Sequence, residues 1–69
     1  MQISFIGAGK VGVSLGKYFI SKGRKVGGYY SLSPKSAAWA ANFTNTKQYQ
    51  SIKEIISSSA TIFFTVPDD

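Results

Sequence analysis

Glycines at positions 7, 9 and 12 follow directly on the apolar run Ile3-Ser4-Phe5-Ile6 and open a helical pattern, giving Gly7-Ala8-Gly9-Lys10-Val11-Gly12 between a strand and a helix. That G-x-G-x-x-G arrangement suits the binding of a pyrophosphate. Gly7 permits a tight turn, Gly9 lets the main chain approach the anion, and Gly12 lets the helix lie close on the strand. The anion would rest on the helix N-terminus, where N–H groups without intrahelical partners and the positive end of the macrodipole attract it without a side-chain charge. Ala8 and Val11 complete the turn as cofactor-binding positions. The Lys10 ammonium has two places to go, the pyrophosphate or water. The competing reading of the whole motif is a glycine-rich turn used for packing alone.

A second position decides which dinucleotide is favoured. About 20 residues past such glycines, a carboxylate normally marks an NAD site because it binds the ribose 2′-hydroxyl. Here that region reads Tyr30-Ser31-Leu32-Ser33, with no acid near it. A carboxylate would repel a 2′-phosphate, whereas the Ser31 and Ser33 hydroxyls can donate to one and Lys35 can supply charge at the start of a helix. The residues therefore favour NADP over NAD. Ser33 has an ordinary role as a helix cap that is compatible with a phosphate contact, and Lys35 also reads as a solvated surface lysine. At the other end of the chain, Thr65-Val66-Pro67 closes a strand at the carboxyl edge of the sheet, where open α/β sheets bind ligands. Its backbone is expected to face the nicotinamide half of the cofactor, the alternative being a strand stopped by proline.

These residues need a scaffold, and the pattern supplies one. Val11, Leu15, Tyr18, Phe19 and Lys22 fall on helical spacing, predicting a helix over about Lys10 to Lys22 that ends at Gly23 and turns this stripe to the sheet. Gly12 and Gly16, four residues apart, add a smooth face for close contact with a strand. Val26-Gly27-Gly28-Tyr29-Tyr30 is a second strand by its place in the order, despite its glycines. Ser33-Pro34 caps and opens a helix rich in alanine, in which Trp39 reads as a packing or surface aromatic. A short third strand is expected near Thr46 to Tyr49. Ser51-Ile52-Lys53-Glu54 is a capping box for a helix with Ile52, Ile55 and Ile56 inward, and Thr61 to Val66 is a buried parallel strand. The order βαβαβαβ with right-handed crossovers gives the first half of a doubly wound parallel α/β sheet, strand order 3-2-1-4.

Bulk composition narrows the chemistry. With no cysteine and no histidine, a disulfide framework, a thiolate metal site and the commonest general base are all missing, and no catalytic or metal-binding residue is assigned. Eight basic residues against Glu54, Asp68 and Asp69 give a net charge of +5, which suits a phosphate-bearing ligand. Nucleic acid is disfavoured because the bases form no run and do not interleave with aromatics. No apolar run is long enough to span a bilayer and no signal region precedes the first strand, so a cytoplasmic protein is expected. The final strand runs into Pro67-Asp68-Asp69 with nothing to cover it, so residues 1–69 read as the N-terminal piece of a longer protein.

Taken together, Ile6 to Gly12, the Tyr30-Ser31-Leu32-Ser33-Pro34 segment and Thr65-Val66-Pro67-Asp68 resemble the Rossmann-like NADP-binding domain of proteins carrying a DUF2520 C-terminal domain. Those are relatives of pyrroline-5-carboxylate reductase and the 6-phosphogluconate dehydrogenase-like group. Two positions depart from that pattern: Leu32 stands where arginine is common, and Ala60-Thr61 where an aspartate often precedes the fourth strand. The resemblance implies a C-terminal helical domain that completes a small-molecule substrate site and pairs two copies. It implies no catalytic residue within this stretch. Three functions are compatible with the residues: the cofactor half of an NADP-dependent oxidoreductase, a non-catalytic nucleotide sensor, and a scaffold or binder of another phosphate ligand.

Overall fold

The structure, a computed structural model, describes residues 2–65. Seven elements alternate along the chain: β1 (Gln2–Ile6), α1 (Lys10–Ser21), β2 (Lys25–Tyr30), α2 (Pro34–Thr44), β3 (Lys47–Gln48), α3 (Ile52–Ser58) and β4 (Thr61–Phe64). All strand pairings are parallel and the sheet order is β3-β2-β1-β4. This is the expected Rossmann-like order, with the chain reversing direction across the sheet between β1 and β4.

Local chemistry sets the element ends. At the end of α1, Gly23 takes φ +78° while the Arg24 N–H donates to the Phe19 carbonyl and the Gly23 N–H to that of Ile20. That is a Schellman closure, and Asn45 repeats it after α2 at φ 58°, with the Thr46 N–H on the Ala41 carbonyl. Ser33 caps α2 and Pro34 occupies its first turn. Ser51 caps α3 by accepting from the Glu54 N–H at 3.3 Å, and the Glu54 carboxylate accepts in return from the Gln50 N–H at 2.7 Å. The reciprocal half of this box therefore reaches one residue beyond the cap itself.

An aromatic ladder forms the core. Tyr29, Phe5 and Phe63 are register partners on β2, β1 and β4, and their rings stack at 5.0 and 5.6 Å. Phe19 from α1 adds a third contact, 5.5 Å from Phe63. Above Tyr29 the helix needs no side chain at all: a Cβ on Gly16 would collide with the Tyr29 hydroxyl, which donates to the Gly12 carbonyl at 2.9 Å. Burial against sheet and helix pushes the Tyr29 phenol up to about 12. On the opposite face α3 contributes Ile55, fully buried, and the Ser59 hydroxyl donates to buried Ser4 at 2.6 Å.

Three expectations are corrected. The sheet-facing stripe of α1 is Gly12, Val13 and Gly16, flanked by half-buried Leu15 and Phe19, whereas Val11, Tyr18 and Lys22 are exposed. Glycine is the reason, since the closest approach of helix to sheet occurs where side chains are absent and hydrophobicity carries no signal. In α3 only Ile55 turns inward, and Ile52 and Ile56 are exposed, because a seven-residue helix presents one turn to the sheet. β4 is parallel as expected but only Ile62 and Phe63 are half-covered, since it is the outer strand among the described residues; Val66 lies outside them.

The Tyr29 phenol ties stability to pH. An unfolded phenol ionises near pH 10 and the folded one near 12, so its contribution is complete below 10 and is lost as pH rises through 12, about 2–3 kcal/mol in all. Urea denaturation of wild type and Tyr29→Phe between pH 8 and 12 checks this. The variant should be about 1 kcal/mol less stable at pH 8 and should lose less stability on the alkaline side.

Candidate functional site

The carboxyl ends of β1, β2 and β4 meet the N-terminus of α1, and the geometry of that junction follows from Gly7. Its φ is +111°, its N–H donates to the Tyr30 carbonyl at 2.7 Å, and a Cβ there would collide with the Thr65 carbonyl. Only glycine combines that backbone with that proximity. Thr65 secures the turn from the other side: its N–H donates to the Ile6 carbonyl at 2.9 Å and its hydroxyl to the Gly7 carbonyl at 3.3 Å. A Cβ on Gly12 would stand 2.7 Å from that hydroxyl, so the start of α1 lies against Thr65 as well as over the strands.

Gly9 is the N-cap of α1, with extended backbone, no side-chain cap and no acidic residue in the first turn. The first N–H groups of the helix thus have no partner within the helix and no competing carboxylate. This donor set fits an anion, and a pyrophosphate is held by such groups without ionic pairing. Ala8 is buried in the core. Lys10 and Val11 are exposed beside the turn.

Next to the turn opens a cleft of about 420 Å³ lined by Ile6, Gly7, Tyr30, Ser31, Leu32, Ser33, Ile52, Phe64 and Thr65. The structure thus brings the β2 end, Gly7 and Thr65 into one concavity. Ala8, Gly9, Lys10, Val11, Gly12 and Lys35 are outside its lining, and Val66 and Pro67 lie outside the described residues. Ile52 and Phe64 were missed from sequence: one was assigned to the core and the other to a buried strand, and no local motif marks either as ligand-facing.

The serines at the β2 end form a short hydrogen-bonded chain. Ser31 Oγ accepts from the Ser33 N–H at 3.1 Å, and Ser33 Oγ accepts from the Ser36 hydroxyl at 3.2 Å. Each oxygen is engaged as an acceptor, and among the described residues neither the Ser31 nor the Ser33 hydroxyl donates to another group. Among the described residues Glu54 is the one acid, and its carboxylate is engaged with the Gln50 N–H. No group of residues suited to a metal ion occurs among them, and no helix there is long and apolar enough to cross a membrane.

Residues 2–69 match the family model described as NADP oxidoreductase, coenzyme F420-dependent. The chain belongs to this family. Its oxidoreductase nucleotide-binding module accounts for the sheet order and the glycine turn together. Among solved structures the family member is similar to UDP-N-acetylglucosamine 3-dehydrogenase GnnA from Acidithiobacillus ferrooxidans in two crystal forms, with TM-scores of 0.82 and 0.86 and 16% sequence identity. Each comparison covers 97% of this chain and 22% of that one, so the chain spans about a fifth of the length of the structures it matches. At that identity the likeness concerns the fold. No curated protein matches the sequence significantly.

The Gly7 turn carries a testable contrast with Gly23, whose φ is also positive but whose Cβ position is open. Gly23→Ala should cost about 1 kcal/mol, the backbone strain alone. Gly7→Ala should cost about 3 kcal/mol or more, because the Thr65 main chain must also move. Chemical denaturation of the two variants side by side measures the difference.

Proposed function

We propose that this chain is the cofactor-binding part of an NADP-dependent oxidoreductase, taking NADP in preference to NAD. A C-terminal helical domain of the longer protein would contribute the substrate contacts and pair two copies. Within the family we assign it to the branch of DUF2520-containing proteins related to pyrroline-5-carboxylate reductase, on the Ser31-Leu32-Ser33-Pro34 and Thr65-Val66-Pro67-Asp68 segments. The pyrophosphate rests on the first turn of α1 through the backbone of Gly9, Lys10, Val11 and Gly12, with Gly7 and Ala8 shaping the approach. Ser31, Ser33 and Lys35 meet the 2′-phosphate, and Leu32 lies between them. The backbone of Thr65, Val66 and Pro67 faces the nicotinamide half.

One observation carries the cofactor preference. Two serine hydroxyls whose oxygens are already occupied as acceptors have protons to give, at the position where an NAD site would hold a carboxylate. Lys35, in the first turn of α2 behind the Ser33 cap, adds a positive charge that a 2′-phosphate gains from and a 2′-hydroxyl does not. When bound, the nicotinamide ring supplies the hydride chemistry. This chain's residues bind the cofactor, orient it across the carboxyl edge of the sheet and fix its adenosine end.

Titrating the full-length protein with NADPH and NADH in parallel, read by nicotinamide fluorescence at low salt, tests the proposal. NADPH should bind at least tenfold more tightly, the margin should shrink as salt is raised, and Ser31→Ala with Lys35→Gln should narrow it further. Equal or tighter NADH binding would contradict the NADP preference. Failure of a folded, complete protein to bind either would overturn the oxidoreductase reading in favour of a scaffold.

A further inference from the structure

Away from the cleft, α1 and α2 lie side by side and share an aromatic patch. Trp39 and Phe43, one turn apart on α2, are 55% and 52% exposed, and their rings stack on each other at 5.2 Å and 9°. Lys17 of α1 reaches across the helix pair and sets its ammonium 4.6 Å from the Phe43 centroid. Ile20, three residues on from Lys17 and so on the same side of α1, is a further bare hydrophobic. None of these residues lines the cleft. Exposed aromatics held in one arrangement by two elements, with a cation fixed among them, have the composition of an interface anchor.

Charge selects the occupant. Residues 10–46, which supply both helices, carry Lys10, Lys17, Lys22, Arg24, Lys25 and Lys35 and no acid. Glu54, the one acid among the described residues, is on α3 across the sheet. The Lys17 ammonium therefore rests on a ring and meets no described carboxylate on its own face. A second copy docking through the same face would bring cation against cation. Single-stranded nucleic acid needs open rings on which bases stack, and Phe43 is already stacked on Trp39 and covered by Lys17. A bilayer needs a broad apolar face, whereas Lys35, Ser36 and Asn42, each one turn from Trp39, are polar and exposed. We infer that this face docks an acidic segment of a partner protein, a carboxylate pairing with Lys17 while a neighbouring apolar side chain packs on Trp39 and Phe43. The inference uses no residue of the cofactor site.

Calorimetric titration of the full-length protein with a short synthetic peptide alternating glutamate and leucine tests it. The comparison ligands are the glutamine–leucine counterpart, a single-stranded oligothymidylate, and vesicles of phosphatidylserine and phosphatidylcholine. The glutamate peptide should bind, less tightly as salt is raised, and its glutamine counterpart should bind at least about tenfold more weakly. Lys17→Gln, Trp39→Ala and Phe43→Ala should each weaken the glutamate peptide about fivefold or more. Lys17→Arg should retain its binding, and Lys53→Gln, on the far side of the sheet, should leave it unchanged. No binding of the glutamate peptide, equal binding of the two peptides, or binding indifferent to Lys17, Trp39 and Phe43 would each overturn the inference. Tighter binding of the oligothymidylate or the vesicles, lost in the same variants, would overturn it in favour of nucleic acid or a membrane.

Discussion

Everything at the candidate site depends on how closely α1 sits on the sheet. The Tyr29 hydroxyl reaches the Gly12 carbonyl at 2.9 Å only because Gly16 carries no side chain above it, and Gly12 faces Thr65 for the same reason. Dispersion and burial act over the whole of that contact, while two glycines in a helix interior cost about 1 kcal/mol each in propensity. The packing of Tyr29, Phe5 and Phe63 offsets that cost and holds the helix start above the strand ends. An anion site made of main-chain N–H groups has no flexible side chain to adjust it. Its precision is the precision of this packing.

From that seat the rest of the cleft follows. β1 sits between β2 and β4 in the sheet, so its end is where the chain's two directions of travel diverge and a crevice opens. Gly7 turns the chain there, bonded to Tyr30 on one side and to Thr65 on the other. Electrostatics add a general bias and little local detail: the net charge of +5 suits a phosphate ligand, while the donors the proposal calls on are backbone amides and two serine hydroxyls. Leu32 and Ile52 add apolar walls to the same cleft.

Much of this was legible in the sequence because the signals were short-range. Gly7, Gly23, Ser33-Pro34 and the Ser51 to Glu54 box each specify a local backbone geometry, and each does so in the structure. The strand order followed from the alternation of elements and the handedness of crossovers. What escaped depended on distance. Periodicity assigned Val11 and Tyr18 to the core because it counts hydrophobic side chains, whereas the tightest contact is made by glycines, which have none. Ile52 looked like a core isoleucine until the depth of α3 on the sheet was known. Phe64 read as part of an apolar strand and also as incompletely covered at a sheet edge, and the second reading is the one the structure bears out. The partnership of Tyr29 with Gly12, 17 residues apart, has no local signature at all.

Backbone amide chemical shifts of the isotopically labelled protein during a titration with inorganic pyrophosphate address the central claim most directly. The account predicts saturable shifts largest at the Lys10, Val11 and Gly12 amides, the first free donors of α1, with smaller ones at Gly7 and Thr65. Shifts spread over the scattered surface lysines, or centred away from the start of α1, would contradict it.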